Sequence, residues 1–260
     1  MSREPHGGSP SIALPDYWWY RVRASMLETV LAGFVPGDAD VLDVGSADGP
    51  SVGWLEGLWK VTVDIDPRGL KPGRGVCASA TALPFADSTF DVVGAFDVIE
   101  HCDPESAVMS ELARVLRPGG VLLVSVPAYQ WAWSLHDDLN GHHRRYTRTR
   151  ALAATRASGL APERATYAFT STFPLFAAER LTRRAARALS RSTVAPADVA
   201  PVPSMPAAAD RLLGALGGID VRLLKRWNLP FGSSVVVAAR KPQAADGDVR
   251  PAATSAASRA

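Results

Sequence analysis

The stretch VLDVGSADG, residues 41–49, decides the fold class. A short apolar run ends at Asp43, and Gly45 and Gly49 then let the chain turn and pass close to a ligand. Asp64 ends the next apolar run, at the spacing where a carboxylate accepts hydrogen bonds from both ribose hydroxyls of a nucleotide. The stretch therefore predicts a nucleotide-like ligand at the carboxyl ends of two adjacent parallel strands.

The rest of the chain alternates between strand-like and helical patterns. Buried strands that alternate with helices predict an α/β fold with a doubly wound parallel sheet. Residues from 172 to about 230 then form a helical insertion before the last strand. Helical patterns cover 17–31, 103–119, 148–159, 174–191 and 208–227, and apolar runs cover 59–66, 90–98, 119–127, 163–170 and 233–242.

Composition limits the architecture and the partners. With 260 residues, 47% of them hydrophobic, the chain can form one domain, which we place at 15–242 between disordered tails at 1–14 and 243–260. The net charge of +2 gives no general reason to expect a nucleic-acid partner. Two cysteines, no secretory signal and no long apolar run indicate a cytoplasmic protein.

The helix expected at 174–191 raises the question of whether the protein contacts a membrane surface. Its arginines fall on one face, which would suit an anionic membrane surface. The apolar side is thin, so the sequence favours a solvated basic face, with peripheral membrane contact as the alternative. The arginines are Arg180, Arg183, Arg184, Arg187 and Arg191.

Six segments carry a family resemblance: LDVGSADG, VDID, LPFADSTFDVV, DVIEH, LARVLRPGG and LVSVP. In this order and spacing they resemble the class I S-adenosylmethionine-dependent methyltransferases of the type 11, ubiquinone-pathway-like group, from about Asp16 to Pro242. The resemblance implies a mostly parallel, seven-stranded, Rossmann-like sheet and S-adenosyl-L-methionine as cofactor. The acidic turn agrees with this, because an acid repels a diphosphate but suits a sulfonium.

The resemblance also implies which residues bind the cofactor. Asp64 would hold the ribose, Ile65 would pack on the adenine, and the turn after Asp43 would face the methionine part. Ser79 stands where many relatives have Asp, although a hydroxyl can still accept a hydrogen bond. The implied cofactor residues are Asp43, Gly45, Ser46, Gly49, Asp64, Ile65, Ser79, Ala80 and Asp97.

Methyl transfer needs alignment and removal of a proton from the acceptor, so a base is expected near the ends of the later strands. The run at 90–98 leads into FDVIEHCDP, where Asp97, Glu100 and His101 could converge. Similar segments bind a divalent ion in some related quinone O-methyltransferases. We favour an interpretation without a metal, in which Asp97 contacts the cofactor and Glu100 and His101 support the loop. Asp97 and His101 are also candidates for catalytic residues.

GHHRRY, residues 141–146, is the second candidate region. Adjacent histidines point apart, which argues against a metal, and the near-neutral chain argues against nucleic acid. In one interpretation an arginine braces the loop by pairing with Asp137 or Asp138. In the other interpretation, His142 deprotonates a hydroxyl and an arginine binds an anionic group of the substrate. The substrate-side candidates are Trp19, Trp131, Arg144, Arg145 and Tyr146.

We therefore expect methyl transfer to an oxygen, or to a nitrogen, of a small or amphipathic, lipid-like acceptor. A non-catalytic cofactor-binding or membrane-surface protein on the same fold is the alternative. A nicotinamide-dependent dehydrogenase is a less favoured alternative, because the chain lacks the triple-glycine turn and a Tyr-x-x-x-Lys pair.

Overall fold

The computed structural model describes residues 16–45, 49–67, 70, 73, 75–189 and 205–243. Ser46, the predicted tail at 1–14 and residues 244–260 of the other predicted tail lie outside these ranges. Arg191 and the side chain of Arg187 also lie outside the described part of the chain.

Seven strands of the described residues form one mixed sheet, in the order β3-β2-β1-β4-β5-β7-β6. They are β1 (Asp40–Val44), β2 (Trp59–Asp64), β3 (Gly75–Cys77), β4 (Phe90–Phe96), β5 (Leu116–Pro127), β6 (Ala161–Ala168) and β7 (Ser234–Arg240). The pairs from β3 to β5 are parallel, whereas β7 is antiparallel to both β5 and β6. The predicted mostly parallel, seven-stranded sheet is confirmed.

Helices cover both faces of this sheet. Side chains alternate along each strand, so Leu42 and Val44 enter one apolar core while Val41 enters the other. Helices α2 and α4 contribute to the first core, and α1 and α6 contribute to the second. The helices are α1 (Trp18–Leu31), α2 (Glu105–Val115), α3 (Leu135–Leu139), α4 (Arg148–Ala157), α5 (Phe173–Leu189) and α6 (Ala207–Leu224). None of these described helices is long and apolar enough to cross a bilayer.

Local signals explain most of the element boundaries. Thr147 caps α4, since its side chain accepts a hydrogen bond from the Arg150 amide (3.2 Å), and Gly159 follows the helix with a φ of +82°. Strand β5 begins at Leu116 rather than at the expected Gly119, because Leu116 already pairs with Phe90 of β4.

Two elements were not expected from the sequence. Strand β3 has only three residues, too few for a periodic pattern. Helix α3 lies in the segment expected to be an irregular loop, and Ser134 and Asp137 form a capping box at its start. The helices α5 and α6 lie between β6 and β7, where the sequence indicates an insertion.

Candidate active site

The turn after β1 favours glycine. Gly45 has a φ of +75°, and its amide donates a hydrogen bond to the Val63 carbonyl (2.6 Å). A Cβ atom at this position would lie 2.4 Å from Cγ2 of Val98, closer than carbon atoms approach. The backbone of the turn therefore packs directly against the segment that follows β4.

Carboxylates stand at the ends of the first two strands. Asp43 is fully buried, with the Lys60 ammonium 3.7 Å from its Oδ2. Asp64 is half-buried and accepts a hydrogen bond from the Asp66 amide (2.9 Å). Burial raises the pKa of Asp64, although the Asp66 amide works against that shift. Next to it, the Ile65 side chain is 76% exposed, an unusual position for a large apolar group that would suit stacking against a planar base.

The remaining predicted cofactor residues line the same edge of the sheet. Gly49 is buried, and Ala80 is partly buried against the core below β3. The Ser79 hydroxyl lies 2.8 Å from the Thr81 hydroxyl and also accepts from the Thr81 amide (3.2 Å). Ser79 is thus held in a local turn beyond the end of β3.

Asp97 follows β4 and is engaged by other side chains. Arg23 of α1, which is 7% exposed, donates to Asp97 Oδ2 (2.8 Å) and to the Ser125 hydroxyl (2.9 Å). The Ser125 hydroxyl in turn donates to Asp97 Oδ1 (3.0 Å). Asp97 also adopts a φ of +58°, uncommon for a residue with a side chain. Because both carboxylate oxygens accept hydrogen bonds, we do not propose Asp97 as a catalytic base.

Glu100, His101 and His142 lie close together beside the Arg23–Asp97 ion pair. One potential ligand atom from each side chain lies within 4.8 Å of the others, and the two imidazole rings meet edge to face with centroids 4.5 Å apart. Glu100 is fully buried, and neither of its side-chain oxygens has a hydrogen-bond partner in another residue. Burial, followed by repulsion from Asp97, raises the pKa of Glu100 well above its ordinary value. His101 lies at the surface, so the group opens outward on its side.

Asp137 at the start of α3 orients His142. Its Oδ1 lies 2.9 Å from His142 Nδ1, and the Arg145 guanidinium donates to both carboxylate oxygens (2.7 and 3.1 Å). Burial alone would raise the pKa of Asp137, but the hydrogen bonds from His142 and Arg145 outweigh it and hold that pKa far below its ordinary range. An ionised Asp137 can only accept a hydrogen bond, so His142 donates to it through Nδ1.

The other residues of GHHRRY hold the loop after β5 in place. Arg144 donates to the Cys102 carbonyl and to Asp103, and the His143 amide donates to the Glu100 carbonyl (2.8 Å). Arg145 binds Asp137 as described, and Tyr146 is 1% exposed. The geometry does not favour the predicted role of Arg144, Arg145 and Tyr146 in holding the substrate, because Asp103 and the buried Asp137 pair with the two guanidiniums and the phenol ring lies in the core.

Aromatic side chains flank the site. Trp19 of α1 stacks on Phe169 (centroids 5.6 Å apart), and the Arg23 guanidinium lies over its ring (5.5 Å). Trp131 is 40% exposed and stacks on Tyr129 (5.9 Å). Of the predicted substrate-side residues, Trp131 is the one that offers an open aromatic surface.

The sequence predicted that an arginine of GHHRRY pairs with Asp137 or Asp138, and Arg145 pairs with Asp137. Sequence reasoning missed two polar residues of the site, Arg23 and Ser125, which no local signal marks within an amphipathic helix and a buried strand. The short helix that positions Asp137 could have been found, because Ser134 and Asp137 have the spacing of a capping box.

Residues 42–124, from β1 to β5, match the model of the methyltransferase domain family. This segment is similar to the class I S-adenosylmethionine-dependent methyltransferases. The chain is 38% identical over 122 residues to a demethylmenaquinone methyltransferase of Mycobacterium sp. (strain KMS), covering 42% of this chain and 48% of that protein. The chain spans about half the length of the first curated relatives it matches.

Solved structures with low sequence identity support the fold. The cyclase SpnF superposes with a TM-score of 0.51 at 20% identity, over 86% of this chain and 81% of that one. Phosphoethanolamine N-methyltransferase 2 of Haemonchus contortus, solved with S-adenosylhomocysteine, superposes with a TM-score of 0.50 at 19% identity, over 84% and 53% of the two chains. At these identities the likeness shows the fold alone.

Proposed function

We propose that this chain transfers a methyl group from S-adenosylmethionine to an oxygen of a small or amphipathic acceptor. The observation that carries the proposal is the placement of two sets of residues at one edge of the sheet. Gly45 and Asp64 follow β1 and β2, and the Glu100–His101–His142 cluster follows β4. Adjacent strands lie about 4.8 Å apart, so the two sets flank one cleft.

The donor side fits S-adenosylmethionine, which supplies the methyl group on a sulfonium when bound. Asp64 ends β2 with a half-buried carboxylate that can accept from the ribose hydroxyls, and the exposed Ile65 beside it offers an apolar surface to the adenine. The glycine turn at Gly45 lets the ligand approach the backbone, and Asp43 at the end of β1 lies buried, 3.7 Å from the Lys60 ammonium.

The acceptor side must hold an oxygen in line with the methyl group and remove its proton. The oxygen–carbon bond forms as the carbon–sulfur bond breaks, and the sulfur keeps the electron pair. His142 has its Nδ1 fixed by Asp137, and its ring meets the His101 ring edge to face beside Glu100. We place the acceptor hydroxyl at this cluster, with Trp131 as an adjacent aromatic wall.

Transfer of a labelled methyl group tests the proposal. The purified chain is incubated with methyl-labelled S-adenosylmethionine and, in turn, with phenols, sugars, carboxylic acids and polyprenyl compounds. We expect label in a product whose new methyl group is bonded to oxygen. Label on nitrogen would contradict the oxygen assignment, and no transfer to any acceptor class would contradict the proposed activity.

A pair of adjacent histidines provides the matched comparison. His142→Ala should lower turnover by on the order of a hundredfold, because the acceptor proton then loses its path through the cluster. His143→Ala removes an exposed imidazole one residue away and should keep turnover close to that of the parent chain. Equal turnover of the two variants would show that the acceptor does not lie at the cluster.

A further inference from the structure

Helix α5 brings aromatic side chains to the loop after β5. The Phe173 ring of this helix lies 6.2 Å from the Trp131 ring and 5.6 Å from the Phe231 ring, measured between centroids. Trp131 and Phe231 are 40% and 41% exposed, and Phe173 is half-buried between them. Trp131, Phe173 and Phe231 therefore form one aromatic patch with surface left open to a ligand.

Arg180 lies on the same helix, next to this aromatic patch. Its side chain is only 18% exposed, and its guanidinium lies over the Phe176 ring, 5.0 Å from the centroid. The Phe176 ring in turn lies 6.0 Å from the Phe173 ring. A guanidinium held against an aromatic face is restricted in orientation, which lowers the entropic cost of binding a partner.

The positive charge of Arg180 is poorly compensated by the protein. Its Nε is buried and has no hydrogen-bond partner among the described residues. The Glu179 carboxylate lies 3.5 Å from this nitrogen, but it also pairs with Arg183. Residues 173–185 of α5 contain three arginines and one acidic residue, so this stretch of the helix carries an excess of positive charge.

Arg180 also lies near the acceptor side of the cleft. Burial lowers the pKa of Arg180, the nearby Arg145 lowers it further, and Asp137 raises it. Arg180 is therefore within electrostatic reach of the Asp137–Arg145 ion pair, whose carboxylate also holds His142. Because Arg145 already binds both oxygens of Asp137, that carboxylate does not neutralise Arg180. An acceptor that presents its hydroxyl to His142 can place another group near Arg180.

We propose that Arg180 binds an anionic group of the methyl acceptor, a carboxylate or a phosphate, while the aromatic patch holds the apolar part of the same molecule. This inference rests on the proposed function and names its substrate class, an amphipathic oxyanion. Arginine suits such a group because two of its N–H donors match two oxygens of a carboxylate or phosphate. The open aromatic rings suit a planar or apolar group.

The surroundings of Arg180 distinguish it from its neighbours on α5. Arg183 and Arg184 are exposed, so water solvates their charges and an ion pair formed there contributes little. The Arg180 charge is largely withdrawn from water beside aromatic rings, where a charge-assisted hydrogen bond is stronger. One arginine in such surroundings selects a single anionic group, whereas an exposed basic face attracts any anionic surface.

Two fluorescent probes that share the same rings test the proposal on the full chain. Anilinonaphthalene sulfonate carries a sulfonate, which stands in for the anionic group of the acceptor, and phenylnaphthylamine lacks it. Arg180→Gln should weaken binding of the sulfonate probe on the order of tenfold, because a charge-assisted pair is lost. The same variant should bind the neutral probe like the parent chain.

Arg184→Gln is the matched control, because it makes the same change of charge at an exposed position of α5. It should leave the affinities for both probes unchanged. Trp131→Ala should weaken both probes, since it removes part of the aromatic patch. The proposal is wrong if Arg180→Gln leaves the affinity for the sulfonate probe unchanged, if it weakens both probes equally, or if Arg184→Gln has the same effect.

Binding of S-adenosylhomocysteine, measured on the same samples, reports whether each variant is folded. Arg180→Gln should bind it like the parent chain, because Arg180 lies on the acceptor side. If Arg180→Gln loses this binding, Arg180→Met, which keeps an apolar side chain against Phe176, takes its place in the comparison of the two probes.

Failure of the proposed function would give a different result. Probe binding needs no turnover, so a chain that methylates no acceptor but binds the sulfonate probe through Arg180 would support the anion site and contradict the activity. With an acceptor identified by the labelled-methyl screen, Arg180→Gln should raise its KM by about tenfold with little change in kcat. An acceptor without an anionic group would overturn this inference and leave the transfer activity intact.

Discussion

Replacing Gly45 by alanine tests the turn that places the cofactor. Gly45 has a φ of +75°, where an L-residue costs about 1–2 kcal/mol more than glycine. The new Cβ would lie 2.4 Å from Cγ2 of Val98, and overpacking of this kind costs about 1–3 kcal/mol. Loss of glycine freedom in the unfolded chain returns about 0.4–1 kcal/mol. We therefore expect Gly45→Ala to lower the free energy of unfolding by about 2–4 kcal/mol.

Urea unfolding measures this difference, with a melting temperature roughly 5–15 °C lower as the thermal counterpart. Gly33→Ala is the matched control, because a Cβ at Gly33 would meet no atom within 4 Å. That variant should stay within about 0.5 kcal/mol of the parent chain. In Gly45→Ala the affinity for S-adenosylhomocysteine should fall as well, since the turn would have to move.

A second substitution separates the two sources of the cost. Val98→Ala removes the methyl groups that the new Cβ would contact, so the double variant should recover about 1–3 kcal/mol relative to the sum of the single changes. The cost of the positive φ should remain. If Gly45→Ala were as stable as Gly33→Ala, or if Val98→Ala gave no recovery, the described turn would be incorrect.

Two further predictions concern buried and partly buried charges. Arg145→Ala should lower the free energy of unfolding by about 3–5 kcal/mol, because Asp137 would stay buried with an uncompensated charge. Calorimetric or urea unfolding measures this loss, and a loss below about 1 kcal/mol would contradict the described pair. Hydrogen bonds from Arg114 lower the pKa of Glu111, so their stabilisation is present above the ordinary pKa of about 4.3 and is lost as the pH falls through the lower folded-state pKa. The stability difference between the parent chain and Glu111→Gln should accordingly shrink from pH 6 to pH 3, and a difference that grew on acidification would contradict the assignment.

Much of the fold could be predicted because its signals are local. Strand β1, the turn at Gly45 and the position of Asp64 follow from apolar runs, glycines and one spacing. Thr147 likewise carries its own capping signal. Strand β3 could not be found, because three residues show no period and the strand depends on pairing with β2.

The candidate site was less predictable because its geometry depends on contacts between distant segments. The sequence offered the arginines of GHHRRY as substrate ligands, whereas the structure engages Arg144 and Arg145 with protein groups. The decisive partner of His142 is Asp137, whose orientation depends on a short helix that was expected to be a loop. Likewise, only the fold brings Arg23 of α1 to Asp97 at the end of β4.

The central claim is that the cleft at the ends of β1 and β2 binds S-adenosylmethionine through Asp64. Calorimetric titration of the full chain with S-adenosylhomocysteine tests it most directly, because the product analogue binds without turnover. We expect saturable binding of one molecule per chain, at least tenfold weaker in Asp64→Ala because the ribose hydroxyls lose a charged acceptor. Asp38→Ala, an exposed carboxylate before the amino end of β1, should bind like the parent chain. If the parent chain does not bind the ligand, or if Asp64→Ala binds as tightly as Asp38→Ala, the assignment of the cofactor site is wrong.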